Sequence, residues 1–303
     1  AAYRSTDQAA RDAGEQPTER PTVVTVDLIY ADGQRIAIGV RYQEGIGAIV
    51  RPWWHPVEGF PHDLAHARLI WQTPLPPIGR TVACLHAMRI PNPRPAVAIS
   101  AIELVPAAGL GDGRHLTFGL SIDDDHWPGA TRFVAVDGDD SADGSWDQPW
   151  ATLGHATTSI AAGDRVYLHA GTWRPTTRIA FRDLHADEGR HTLVSNWPGA
   201  AATIDFIDAL WDDSPEREKL GFEVYPHDAS MLHSFRCTRF RFNGLTVIRS
   251  RARGIGTEQC RGNVLSHNTV FKTFGPGIRF STGSGRSGGP GRGIVQQEGV
   301  IVL

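Results

Sequence analysis

Two glutamates, a tyrosine and several arginines in the last third of the chain hold most of its chemical capacity. Glu223, Glu258, Tyr225 and Arg279 fall on short strand-like runs, with Arg251 and Arg253 in the turn before one of them. A glycosidase needs two carboxylates across the scissile bond, which Glu223 and Glu258 would supply. A lyase acting on a uronic-acid chain needs guanidiniums to neutralise the sugar carboxylate and a base for the proton beside it. The arginines answer the first need, and Tyr225, His267 or an arginine the second. Solvated cross-strand pairs on an open sheet would use the same residue types.

What places these side chains together is a repeat. Residues 237–259 lie over 260–282 without a gap: Cys237 over Cys260, Thr246 over Thr269, Val247 over Val270, Gly254 over Gly277 and Ile255 over Ile278. A period in the low twenties is too short for paired-helix repeats and fits one turn of a β-solenoid. β-Branched and aromatic runs broken by Gly, Asn and Ser agree. Strands are predicted over 165–169, 191–195 and 202–206, then 221–225, 238–242 and 245–250, and onward through 254–259, 262–266, 268–272 and 277–281. If Phe222, Ile255 and Ile278 point inward, so do Val224, Thr257 and Phe280. Two outward columns remain, Glu223–Gly256–Arg279 and Tyr225–Glu258–Ser281. On that reading the Cα atoms of Glu223 and Glu258 stand roughly 7–8 Å apart on a diagonal.

The paired rows, with Asn268 at the corner before Thr269-Val270, resemble the right-handed parallel β-helix of the pectate-lyase-like superfamily. The stretch 133–174 strengthens the likeness. Its Gly138-Asp139, Asp143-Gly144-Ser145, Pro149-Trp150-Ala151-Thr152-Leu153, Ala162-Gly163-Asp164 and Ala170-Gly171-Thr172-Trp173 read like the opening of such helices. The resemblance implies three short strands per coil, a substrate groove along one sheet and its bordering loops, and an exported protein, either secreted or at the cell surface or periplasm. The repeat region nevertheless carries neither Arg-x-Pro-x-x-Arg nor Gly-His-Gly, the signatures of pectate lyases and polygalacturonases.

Ahead of the repeat the pattern is different. Residues 1–20 read as a polar leader. From 21 to about 122, alternating runs and an Ala31-Asp32-Gly33 hairpin signal predict an antiparallel β-sandwich. Tyr30–Gly33, Trp53-Trp54 and Asn92–Pro95 resemble galactose-binding-like accessory domains, and Trp53 and Trp54 are candidates for a sugar-stacking platform or for plain packing. Residues 123–132 read as a linker and 133–303 as the β-helix. A short capping helix is expected from Pro149 to Gly163, with Trp150, Leu153, Ala156 and Ile160 on one face. The closing Gly299–Leu303 run reads as the start of a further turn, so the sequence is expected to be a piece of a longer protein.

Thirty Lys and Arg against 33 Asp and Glu give no pull toward nucleic acid or an anionic membrane. No apolar run reaches the length of a membrane span. Three cysteines exclude a disulfide framework. Cys237 and Cys260 should stack on neighbouring coils, as a core ladder, a disulfide or, least readily, a metal pair. No metal site or cofactor is predicted, although Asp137, Asp139, Asp140 and Asp143 raise calcium as an alternative to turn chemistry. The expectation is a monomeric all-β glycoside hydrolase or polysaccharide lyase acting on a complex acidic polysaccharide. The alternative is a non-catalytic sugar-binding or adhesion protein with a β-helix spacer.

Overall fold

The computed structural model describes residues 22–42, 50–52, 64–74, 81–108, 119–122, 127, 129–209, 230–250, 252–273, 276–281, 296–298 and 301–302. The chain divides into two compact units, one spanning Glu19–His126 and the other running from Trp127. The fold is all-β, with antiparallel sheets first and parallel sheets afterwards.

In the first unit, β1 (Thr22–Tyr30) lies between β2 (Arg35–Arg41) and β6 (Ile99–Pro106). A second sheet is built from β3 (Val50–Pro52), β4 (Ala67–Pro74) and β5 (Thr81–Met88), with β5 central. The alternation read from the sequence is what the strands bury: Val24, Val26, Leu28 and Tyr30 from β1, and Ile36, Ile38 and Val40 from β2. Gly33 closes the hairpin at φ +84°, a backbone state that glycine adopts without steric penalty. Two of the motifs picked out in the sequence meet. The Tyr30 hydroxyl donates to Asn92 Oδ1 at 2.7 Å, and the Arg94 guanidinium lies 5.0 Å from the Tyr30 ring centre while pairing with Asp32 at 2.8 Å. Trp53 and Trp54 lie outside the described residues.

The second unit is a stack of coils. Its first coil comprises β8 (Arg165–Leu168), β9 (Gly171–Trp173) and β10 (Ile179–Arg182), and β7 (Thr131–Val134) pairs beneath β8. The next coils are β11 (Thr192–Asn196), β12 (Ala202–Asp205) and β13 (Ser230–Phe235), then β14 (Phe240–Asn243), β15 (Thr246–Ile248) and β16 (Arg253–Glu258). They are followed by β17 (Val264–Ser266), β18 (Thr269–Phe271) and β19 (Ile278–Ser281), and by β20 (Gln296–Glu298) and β21 (Ile301–Val302). Each of the first four coils gives one strand to each of three parallel sheets, and β20 and β21 extend two of them, in the orders β7-β8-β11-β14-β17-β20, β9-β12-β15-β18-β21 and β10-β13-β16-β19.

One predicted coil needs correction. The stretches 165–169 and 191–195 were expected within a single turn, but Leu193 stands beside Arg165 in one sheet, so they belong to successive turns. Gly171–Trp173 and Ile179–Arg182 complete the first coil; they are too short and too interrupted to announce themselves as strands. Residues 221–225 lie outside the described residues, and the strand beside β16 is Ser230–Phe235.

The repeat is written into the backbone as well as the side chains. Positive φ occurs at Arg236, Arg239, Gly244 and Arg249 in one coil and, 23 residues on, at Gln259, Gly262, His267 and Lys272 in the next. Six of these eight positions are not glycine, although the left-handed state costs an L-residue about 1–2 kcal/mol. The stacked hydrogen bonds of neighbouring coils offset that strain: Arg236 donates its N–H to Glu258 O, Arg239 to Arg261 O, Gly244 to Ser266 O and Arg249 to Phe271 O.

Inside the coils, Val194, Phe242 and Leu265 stack in register, as do Ile204, Val247 and Val270, and Ile179, Leu232, Ile255 and Ile278. Phe181, Phe240 and Phe242 are fully buried with ring centres 4.9–5.9 Å apart. Burial of each such ring contributes about 2–3 kcal/mol. The buried corners are tied by amides. Asn263 accepts from Phe240 N and donates to Ser234 Oγ and Thr257 Oγ1. Asn268 accepts from Leu245 N and donates to Phe242 O.

The predicted capping helix is present as α1 (Leu153–Ser159), capped by Thr152 rather than opened by Pro149. Leu153, Ala156, Trp150 and Ile160 join the core. Asp140 accepts from Ala151 N, Thr152 N and Thr152 Oγ1, and Asp164 from Ala130 N and Ala161 N. Asp139 and Asp143 close turns onto Ser141 N and Ser145 N. Asp139, Asp140 and Asp143 thus bond to turn and cap groups of their own segment. Among the described residues, no three His, Cys, Asp or Glu side chains converge as metal ligands.

Candidate functional site

The third sheet carries the residues singled out for chemistry. Its register sets Ile255 beside Ile278, Gly256 beside Arg279, Thr257 beside Phe280 and Glu258 beside Ser281, as the repeat predicts. Toward the N-terminus the neighbours are new: His233 stands beside Gly256 and Phe235 beside Glu258, with Ala180 and Arg182 one strand further. Since Ile179, Leu232, Ile255 and Ile278 belong to the core, alternation turns two columns the other way. They read Ala180–His233–Gly256–Arg279 and Arg182–Phe235–Glu258–Ser281. Glu223 and Tyr225, expected in these columns, lie outside the described residues, and so does Arg251.

His233 is the centre of this face. Its side chain is only 4% exposed, while that of Glu258 is 39% exposed. Arg178 Nη2 hydrogen-bonds to His233 Nδ1. A guanidinium can only donate, so Nδ1 is the acceptor and the ring proton sits on Nε2. Nε2 faces the Glu258 carboxylate at 3.8 Å, longer than a hydrogen bond. Burial first, and then the charges of Arg178 and Arg182, push the imidazole down to about 3. At neutral pH His233 is uncharged, and its approach to Glu258 is not an ion pair. With one nitrogen occupied and the other protonated, it is a structural donor and not a base.

Gly256 gives the Ser230 side chain its room beside this ring. A Cβ there would stand 1.9 Å from Ser230 Oγ and 3.4 Å from His233 Cδ2. Arg182 stacks over the Phe235 ring at 5.2 Å, and Arg236 over the same ring at 5.0 Å while pairing with Asp183 at 2.8 Å. Arg279 is partly exposed. From the strand spacing and rise, its Cα lies roughly 8 Å from that of Glu258. Arg253 sits within β16 and is buried, so it supports the strand instead of lining its surface. His267 adopts φ +55° at the corner between β17 and β18, on the other two sheets.

Of the residues singled out in the sequence, Glu258 and Arg279 stand on this face; Arg182 and His233 stand there too, with Arg178 bonded to His233, and none of these three was singled out. The missing signal was the period itself. One more step of 23 residues backward sets Ile255 over Leu232 and Gly256 over His233.

Three parallel sheets fed by successive coils, with left-handed corners and an N-terminal helix, define the class: the second unit is a parallel β-helix. No family model matches the chain, and no curated protein matches it. Among solved structures, the chain is similar to pectate lyase Pel9A at 18% identity and a TM-score of 0.39, over 50% of this chain and 35% of that one. It is also similar to a rhamnogalacturonan lyase at 18% identity and a TM-score of 0.35, over 57% of this chain and 51% of that one. The chain thus spans about a third and about half of their lengths.

Proposed function

We propose that this protein cleaves an acidic polysaccharide, and that the third sheet supports β-elimination in preference to hydrolysis. One observation carries the reading: on this face Arg178, Arg182 and Arg279 accompany Glu258, the one carboxylate in the two outward columns among the described residues. Hydrolysis with a pair of carboxylates asks for a second acid across the bond. An excess of guanidiniums instead suits a uronate, whose carboxylate they neutralise so that the adjacent C–H becomes acidic.

In this reading Arg182 and Arg279 hold the uronate and Glu258, open to solvent, takes the proton. The glycosidic C–O bond on the next carbon breaks and leaves an unsaturated sugar. His233, kept neutral by burial and by Arg178, turns its Nε2–H toward Glu258 at 3.8 Å and fills that edge of the site.

The test is a panel of uronic-acid and neutral polysaccharides. New ultraviolet absorbance from unsaturated uronates, produced together with new reducing ends, is the expected result. Reducing ends without the absorbance would mean hydrolysis, and retained glycan binding with neither signal would turn the reading to a binding protein.

A further inference from the structure

Cys237 and Cys260 hold the same place on consecutive coils, at the corner that leaves the third sheet. Each follows a left-handed residue, Arg236 or Gln259, and each precedes a residue of the parallel bridge between Thr238 and Arg261. In-register parallel neighbours stand about 4.8 Å apart at Cα, inside the range of roughly 4.4–6.8 Å that a disulfide spans.

The contact is closer than stacking alone requires. The backbone N–H of Cys237 donates to Cys260 Sγ at 3.2 Å, so the Cys260 sulfur rests against the Cys237 main chain. The Cys260 thiol also faces Glu258 O at 3.1 Å and Ser234 O at 3.4 Å. Cys237 faces Phe235 O at 3.4 Å and Phe181 O at 3.7 Å. Cys237 is buried and Cys260 is partly exposed.

We propose that Cys237 and Cys260 are a redox pair that closes into a disulfide across two coils, next to the strand end that bears Glu258. The oxidant is a low-molecular-weight disulfide such as oxidised glutathione. The Cys260 thiolate attacks one sulfur of the oxidant, whose S–S bond breaks and releases one thiolate, leaving a mixed disulfide on Cys260. Cys237 then gives up its proton to solvent and its sulfur attacks the Cys260 sulfur, expelling the second thiolate. Two protein thiols are oxidised, and one small disulfide is reduced to two thiols.

The order follows from the surroundings. The Cys237 side chain donates to Cys260 and pulls its thiol down to about 6, against the opposing effect of burial. The same contact, with burial, pushes the Cys237 thiol up. The accessible, more acidic sulfur attacks first and the buried one resolves. Cys84, in the other unit, has no part in the step.

The experiment uses the full chain and needs no knowledge of the substrate. Reduced protein is incubated with oxidised glutathione, alkylated in denaturant, digested without reduction and mapped by mass spectrometry. The expected result is one cross-linked peptide joining Cys237 to Cys260, two alkylations lost, and a melting temperature higher than that of the reduced protein by roughly 5 °C or more. Cys237→Ser should stop the reaction at a stable glutathione adduct on Cys260. Full alkylation of both residues after oxidation, or a lasting glutathione adduct on Cys260 in the unsubstituted protein, would overturn the proposal.

Discussion

The second and third sheets of the β-helix both set arginines around a carboxylate, with opposite results. On the second sheet, Asp205 is 1% exposed and its charge is met by a two-pronged Arg249 and, at 3.4 Å, by Arg174. The same carboxylate also accepts from Ile207 N. On the third sheet, Glu258 stays open, and its neighbours Arg178 and Arg182 are turned to His233 and Phe235. In the first case the buried carboxylate meets its partners within the fold, so that removing one of them would leave a buried charge uncompensated. In the second, the column that holds Glu258 also holds Arg182, stacked on the Phe235 ring, and Arg279 stands in the column beside it. Counting arginines does not separate the two arrangements; finding out whose lone pairs they occupy does.

The sharpest break in this comparison is Glu258→Gln. Turnover of an acidic polysaccharide should fall about 10²- to 10⁴-fold, while the melting temperature stays within a degree or two because the group is open to solvent. Unchanged turnover removes Glu258 from the mechanism.

On the second sheet, Arg249→Met leaves Asp205 buried with the longer Arg174 ion pair and the Ile207 N–H. It should cost about 3 kcal/mol in denaturant unfolding and leave turnover per folded molecule unaltered. Equal unfolding free energies would mean that Arg174 alone compensates the charge.

Arg279→Ala should raise KM about tenfold on a charged substrate and leave binding of a neutral glycan untouched. A matching loss on both would mark Arg279 as structural.

pH distinguishes the sheets further. His233 has a folded value of about 3, well below its ordinary 6.5. Between those values the unfolded chain binds the extra proton and the folded one does not. Stability is therefore complete above about pH 6.5 and declines as pH falls toward 3, with a slope approaching about 1.4 kcal/mol per unit. In His233→Gln that part of the slope should vanish in acid-unfolding curves. The smallest effect is expected at a corner: His267→Gly, at φ +55°, should raise stability by about 1 kcal/mol by relieving the left-handed strain.

Much of the stack was legible because identical residues recur at one spacing. Val247 and Val270 stand in register, as do Ile255 and Ile278. Where the spacing breaks, so did the reading. From β11 to β14 the register advances from Thr192 to Phe240, and from β10 to β13 from Ile179 to Leu232. Insertions of that size hide the period between the first coils, whereas β13 keeps the 23-residue step to β16 and was nonetheless sought at 221–225. Polar identity also hides function, since nothing in the bare letters shows that Arg249 is consumed by Asp205 while Arg182 is stacked on a ring. Those roles depend on which coil lies above which, a long-range fact.

The corner between the first and second sheets leaves two residues between β8 and β9, β14 and β15, β17 and β18, and β20 and β21, and five between β11 and β12. A Cβ on Gly244 in one of these corners would stand 2.1 Å from Asn196 Oδ1. The approaches to the third sheet tolerate longer excursions, such as the one between β12 and β13. Peptides grafted into this scaffold will be accepted where the chain enters β13 and rejected at Gly244, so added length is sorted by the corner that must take it.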